Sequence, residues 1–293
     1  MRIALAGLAT SHPYTDARTL CRVADLVVWE PDPQRLDRFR AEYPDAAVVP
    51  DLAALLDTRP DGVVLTVPPP RVPAALARVL DRRLPCFVNK PAAATVDQVA
   101  QLDRIVSAAP ELVLSSSVLR FAPDFAAFSV PRAELLTVRA TVRHDVGLWA
   151  TGYNPWQDDP AVGGGTLVMM GLHGVELLVA LLGPDVELVG AATATRGYPA
   201  LRSEDTALLS LRWSDGVLGV VEVLGVSADE AYEVSAHTSA GTRGVVLAGG
   251  EEELGYHATM AAFLAMVEGA PSPVPWAQTR AVLGTLAEAR RRT

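Results

Sequence analysis

The sequence predicts an α/β protein in which a doubly wound parallel sheet is followed by a largely antiparallel one. In the first third of the chain, short apolar runs alternate with helical ones at the spacing of βαβ units. Beyond Glu134, runs of alternating polarity follow one another with few helices between them. At 293 residues the chain exceeds one ordinary core and suits two domains.

The elements can be justified in order. Arg2 to Gly7 is a short buried strand ending in glycine, and Thr15 to Arg22 suits a helix. Asp25 to Glu30 is a second strand that ends in an acid. Pro33 to Tyr43 is helical, with Asp32 placed to accept its first free N–H groups. Leu52 to Leu56 gives a short helix, and Gly62 to Val67 a strand stopped by Pro68-Pro69-Pro70. Val72 to Arg82 is a helix and Cys86 to Val88 a strand. In the second part the strands are Glu134 to His144, Val186 to Thr195, Thr206 to Trp213, Val217 to Leu224, Tyr232 to His237 and Gly244 to Leu247. Ser214-Asp215-Gly216 turns one hairpin. A helix from about Gly164 to Leu182 lies amid them, and Tyr256 to Glu268 and Ala277 to Arg292 are amphipathic helices.

Composition narrows the function. Half the residues are hydrophobic and a fifth are charged, as in a globular chain. The net charge of -9 disfavours nucleic acid, whose phosphates require a basic face. Cys21 and Cys86 make neither a disulfide framework nor a zinc site, and no metal is expected. Met1 to Ala9 is too short for a signal peptide, and no run approaches the length of a membrane span. The expectation is a cytoplasmic protein without a membrane partner.

Ligands of doubly wound sheets sit at the carboxyl ends of the strands. Gly7, Glu30, Pro68 and Lys90 fall there. The loop after the first strand is irregular for a dinucleotide fold: of G-x-G-x-x-G only Gly7 is present, with Ala9 and His12 at the other glycine places. Alanine still allows close backbone approach, whereas His12 would crowd the helix. Thr10 and Ser11 could donate to a pyrophosphate at the helix N-terminus, or simply cap the helix. Glu30 suits the ribose hydroxyls and repels a 2′-phosphate, favouring NAD, or else is a solvated acid in a turn. Arg35, one turn into the next helix, leaves NADP open.

Longer motifs then accumulate. Asn89-Lys90-Pro91, Arg120-Phe121-Ala122-Pro123, Trp156 to Pro160, Gly163 through Glu176, and Glu204-Asp205-Thr206 occur in this order. On these the chain resembles the Gfo/Idh/MocA oxidoreductases over nearly its whole length. The resemblance implies a Rossmann domain, residues 1–118, and a C-terminal α/β domain with an open sheet, residues 119–293, whose last helix packs back on the first. It also implies a homodimer or homotetramer built through that sheet, and NAD(P)-dependent chemistry on sugars, polyols or related alcohols and ketones. The family's catalytic lysine maps onto Lys90 and its histidine onto His173. Its helical aspartate maps onto Met169, and the glutamate before the lysine onto Asn89, counted here with the cofactor contacts.

Hydride transfer from an alcohol requires the hydroxyl proton to leave. Lys90 could stabilise charge on the substrate oxygen, and His173 could take the proton. Met169 cannot orient that histidine as a carboxylate would; Glu176, on the same helical face, is the candidate substitute. The loop from His144 to Pro160 holds Tyr153, Trp156 and Asp159, groups suited to a polyhydroxylated ring. With Arg120, Met169 and His173 these are the expected substrate contacts. Two alternatives stay open: a nucleotide- or sugar-sensing protein on the same scaffold, or a glycosidase or lyase using bound NAD transiently.

Overall fold

Six parallel strands and their crossover helices account for the first part of the computed structural model, which describes residues 1–293. The strands are β1 (Arg2–Ala6), β2 (Asp25–Trp29), β3 (Ala47–Val48), β4 (Gly62–Leu65), β5 (Cys86–Val88) and β6 (Val113–Leu114), in the order β3-β2-β1-β4-β5-β6. The helices are α1 (His12–Leu20), α2 (Pro33–Glu42), α3 (Leu52–Asp57), α4 (Val72–Asp81) and α5 (Val96–Val106). Helices on both faces bury the sheet, so its central strands are apolar throughout rather than alternating. Strand order reverses beside β1, and a crevice opens there at the carboxyl ends.

Caps explain where these helices start. The Asp32 carboxylate accepts from Gln34 N at 2.9 Å and Arg35 N at 3.1 Å. Thr95 and Gln98 form a reciprocal capping box at the head of α5. Helix α1 starts at His12, three residues earlier than its apolar pattern suggests, with Pro13 in its first turn.

The second sheet has strands β7 (Leu135–Asp145), β8 (Val186–Ala194), β9 (Thr206–Trp213), β10 (Leu218–Leu224), β11 (Val226–Thr238) and β12 (Gly241–Leu247), in the order β12-β11-β7-β10-β9-β8. Only β7 and β10 pair parallel. A short helix α6 (Pro123–Ala127) precedes this sheet. The helical stretch after the triple glycine is two helices, α7 (Gly165–Met169) and α8 (Gly171–Leu182), broken at Met170. Together they have a mean hydropathy of 1.8 and are 89% buried inside the fold, which is why the segment is so apolar. Gly174 lets α8 approach the sheet: a Cβ there would lie 2.5 Å from Val221 Cγ1. The opposite sheet face is mixed, with exposed Leu208 and Leu218 beside the ion pairs Arg139–Glu222 and Arg143–Glu233.

Helices α9 (Tyr256–Val267) and α10 (Trp276–Arg292) complete the fold. At the start of α10, Trp276 Nε1 donates to Asp103 of α5 at 2.8 Å, and Thr279 Oγ1 donates to Ser115 O at 2.8 Å. At its far end Arg290 pairs with Glu204 at 2.5 Å, and Arg292 donates to Leu188 O at 3.3 Å. The last helix is thus fastened to both sheets.

Candidate active site

The loop after β1 is built around Gly7. Its φ is +93°, and a Cβ would stand 2.4 Å from Thr66 O, so only glycine fits. Leu8 N donates to Glu30 Oε2 at 2.5 Å, and Asp32 N donates to Glu30 Oε1 at 2.8 Å. Glu30 is buried and ties the loop to the end of β2. Arg35 faces acids rather than an open slot, with Nε 3.4 Å from Glu30 and Nη2 3.5 Å from Asp32. Ala9 N donates to Thr66 O at 3.1 Å, and Thr10 Oγ1 accepts from His12 N at 3.3 Å. The Ser11 hydroxyl makes no capping bond.

Beside this loop a cavity of about 400 Å³ runs along the ends of β2 and β4, lined by Trp29, Val67, Pro70 and Arg71. The Arg71 guanidinium lies over the Trp29 ring at 5.6 Å. Pro68 is half-buried next to it. These features fit a dinucleotide: a glycine that admits close backbone approach, an acid at the end of β2, and a cavity beyond it walled by Trp29, Val67 and Pro70.

A second cavity, of about 310 Å³, joins that loop to the other sheet. Thr10, Ser11 and His12 line one side, and Lys90 from the end of β5 and His173 from the first turn of α8 reach it from two others. Lys90 and His173 are both buried. Lys90 Nζ donates to Met169 O at 3.1 Å. Burial lowers the Lys90 ammonium to about 8, against the opposing pull of the Glu230 charge. Burial, then the charges of Lys90, His12 and His144, hold His173 well below its ordinary value, so its imidazole is neutral. His12 is likewise pushed down to about 3 by burial and by Lys90, and it stacks on Tyr256 with ring centres 5.3 Å apart.

His173 is oriented by a hydroxyl. Its Nδ1 lies 2.7 Å from Ser117 Oγ, and its ring packs on Tyr232 at 5.2 Å. Glu176, expected to replace the missing aspartate, instead accepts from Ser116 Oγ at 2.9 Å and from Arg120 Nη1 at 2.8 Å. This corrects two sequence expectations at once. Arg120 is not on the cavity wall; its guanidinium is committed to Glu176 and Gln278. Asn89 also points inward, donating to Asp16 at 3.0 Å and to Thr66 at 2.8 Å, rather than into the cavity. Burial pushes the Asp16 carboxyl up to about 7.

The loop from His144 to Pro160 divides. Tyr153 and Asn154 line the cavity, together with His144, Asp145, Trp149 and Gln157. Trp156 and Asp159 do not. Trp156 packs against the core, and Asp159 pairs with Arg202 at 2.9 Å while its carbonyl caps the turn into the triple glycine. Those glycines serve packing: a Cβ on Gly163 would meet Trp156 O at 2.4 Å, and one on Gly165 would meet Ser203 Cβ at 2.5 Å. Glu230, Tyr232 and Tyr256 complete the wall. No local motif marks them, and only the pairing of β11 with β7 and the packing of α9 bring them in.

Comparison with known families decides part of the assignment. Residues 133–245 match the Gfo/Idh/MocA C-terminal domain. These residues belong to the Gfo/Idh/MocA family. Solved structures resemble the entire chain. GenD2 of gentamicin A biosynthesis, solved with NAD, gives a TM-score of 0.85 at 20% identity, covering 100% of this chain and 93% of that one. A myo-inositol dehydrogenase from Corynebacterium glutamicum gives 0.82 at 18%, covering 100% and 96%. A scyllo-inositol dehydrogenase from Lactobacillus casei, with NAD(H) and scyllo-inositol bound, gives 0.80 at 14%, covering 99% and 96%. At such identities the likeness is one of fold. No curated protein sequence matches the chain. His173, within the matched residues, and Lys90, outside them, meet in the cavity between the two sheets.

Proposed function

We propose that this chain is an NAD-dependent dehydrogenase or reductase acting on a sugar, polyol or related small alcohol. The observation that carries the reading is the meeting of Lys90, after β5, and His173, on α8, in one cavity reached by the loop after β1. NAD, when bound, supplies the hydride acceptor. The site's own residues do the rest. Lys90 in its ammonium form donates a hydrogen bond to the substrate oxygen and stabilises the charge that grows there. His173, kept neutral by its surroundings, accepts the hydroxyl proton as the carbon–oxygen double bond forms and the hydride departs. For that role Nδ1–H donates to Ser117 Oγ both before and after the transfer, leaving Nε2 free to take the proton, so the pair holds the ring without a fixed charge.

The cofactor would lie along the ends of β1, β2 and β4, with its ribose at Glu30 competing for the bond now made by Leu8 N. Neighbours of the same fold solved with NAD, and one with scyllo-inositol, support the reading. Assembly into a homodimer or homotetramer would use the exposed sheet face around Leu208 and Leu218.

Lys90→Ala and His173→Ala test the assignment. Each should lower turnover of a polyol panel by roughly 10²-fold or more while NAD affinity changes little. Unchanged turnover in both variants refutes it. Intact ligand binding with no wild-type turnover would point to a sensing protein instead.

A further inference from the structure

One wall of the cavity carries a carboxylate that the proposed hydride transfer does not use. Glu230 sits where β11 leaves its ladder with β7. Val226 pairs with Asp145, but the next pair is Ala231 with Arg143, so the intervening β11 residues bulge out of register. Bulges of this kind re-aim side chains and gather at active sites. Glu230 lines the cavity with Lys90, and the two charges act on each other.

The carboxylate is anchored at one end only. Oε1 accepts from Tyr232 Oη at 2.8 Å and lies 3.7 Å from His144 Nδ1. Oε2 has no protein partner, and no lysine or arginine comes within ion-pair distance. The neighbouring His144, the Tyr232 hydroxyl and the charge of Lys90 keep this carboxyl below the usual range against the opposing effect of burial. It therefore stands ionised, half-enclosed and facing a space large enough for one small molecule. Asp145 adds a second negative group on the same side, its carboxylate held by Tyr198 Oη at 2.6 Å. Lys90, the cavity's lysine, is held apart by Met169 O.

The cavity thus carries the Lys90 cation, tied to Met169 O, and two carboxylates, Glu230 and Asp145. A neutral polyol can donate a hydroxyl to Glu230, but it adds no charge to that of Lys90, which already acts on the carboxylate. An ammonium group compensates it and is repelled from Lys90, which fixes the ring in one orientation.

We propose that Glu230 selects a substrate bearing a basic amino group, an amino sugar or aminocyclitol, whose ammonium binds Oε2 while a hydroxyl elsewhere on the ring faces Lys90 and His173. The inference rests on the sugar-alcohol reading above and narrows it.

Matched ligands test it. Scyllo-inositol and scyllo-inosamine, and glucose and glucosamine, differ by one hydroxyl exchanged for an ammonium. Each is titrated by calorimetry at neutral pH onto the protein saturated with NAD, wild type and Glu230→Gln. The amino member of at least one pair should bind wild type tenfold or more tighter than its neutral partner. In Glu230→Gln that ratio should fall to near one. Equal or tighter binding of both neutral members overturns the inference and leaves the polyol reading standing. So does an amino preference that survives Glu230→Gln. Binding of none of the four, with NAD still bound, overturns both.

Discussion

Replacing Arg120 with alanine would leave a heavily buried acid, Glu176, without its cationic partner. The Glu176 side chain is 2% exposed and that of Arg120 15%, with 2.8 Å between their charged atoms. After the substitution, Ser116 alone would hydrogen-bond the carboxylate. Removing one partner of such a pair costs about 3–5 kcal/mol, because a charge is left buried without compensation. At the ~2–4 °C per kcal/mol of chains this long, the melting midpoint should drop by roughly 6–20 °C. The sign of the pH dependence follows. Burial already raises the Glu176 carboxyl despite Arg120, and losing Arg120 raises it further. A carboxyl with a raised folded value is protonated and harmless in acid, and costs stability as pH rises through that value. The deficit of Arg120→Ala should therefore be small near pH 5 and grow toward pH 8, and Glu176→Gln in the same protein should recover much of it. Urea unfolding at both pH values measures this. A deficit under about 1 kcal/mol at every pH, together with a raised KM, would refute the structural role and return Arg120 to the substrate site.

The remaining predictions concern the site and assembly. On the proposed role Lys90 works in its ammonium form; burial lowers that group to about 8, so kcat/KM should fall as pH rises through that value. Met169→Asp should move the acidic limb upward by raising the His173 value, and profiles unaltered by it would remove the proposed proton route. Glu30→Ala should narrow a preference for NAD over NADP measured by fluorescence titration; tighter NADP binding by the wild type would discard that role. Sedimentation at micromolar concentration should show a species larger than 31.0 kDa, and a monomer alone would count against assembly through the sheet.

Much of the fold was written in local pattern. The βαβ spacing of the first part and the hairpin at Ser214-Asp215-Gly216 rest on burial period and turn chemistry, which adjacent residues encode. The head of α5 was equally legible in Thr95 and Gln98, though a reading led by strands passes over it. The break at Met170 was not legible, because it depends on how closely α7 and α8 pack against the rest of the core. The site divides on the same line. Lys90 and His173 stand inside recognisable runs, and the structure brings them to one cavity. Arg120 and Asp159 stand in such runs too, yet their charges are spent on Glu176 and Arg202, and a sequence does not say which acid an arginine will find. Glu230 and Tyr256 reach the cavity, and Ser117 reaches His173, only through pairing and packing between distant segments.

The fastening of α10 at both ends has a mechanical consequence. A hinge between the two sheets would have to stretch the bonds from Trp276 to Asp103 and from Thr279 to Ser115 at one end, or the Arg290–Glu204 pair at the other. Bending a packed helix instead disturbs its whole buried face. The molecule should accordingly respond to load as one stiff body, with the halves losing structure together and not in sequence. Any change in the cavity's width then falls to the segment that lines it between His144 and Gln157, which makes neither of these anchoring bonds.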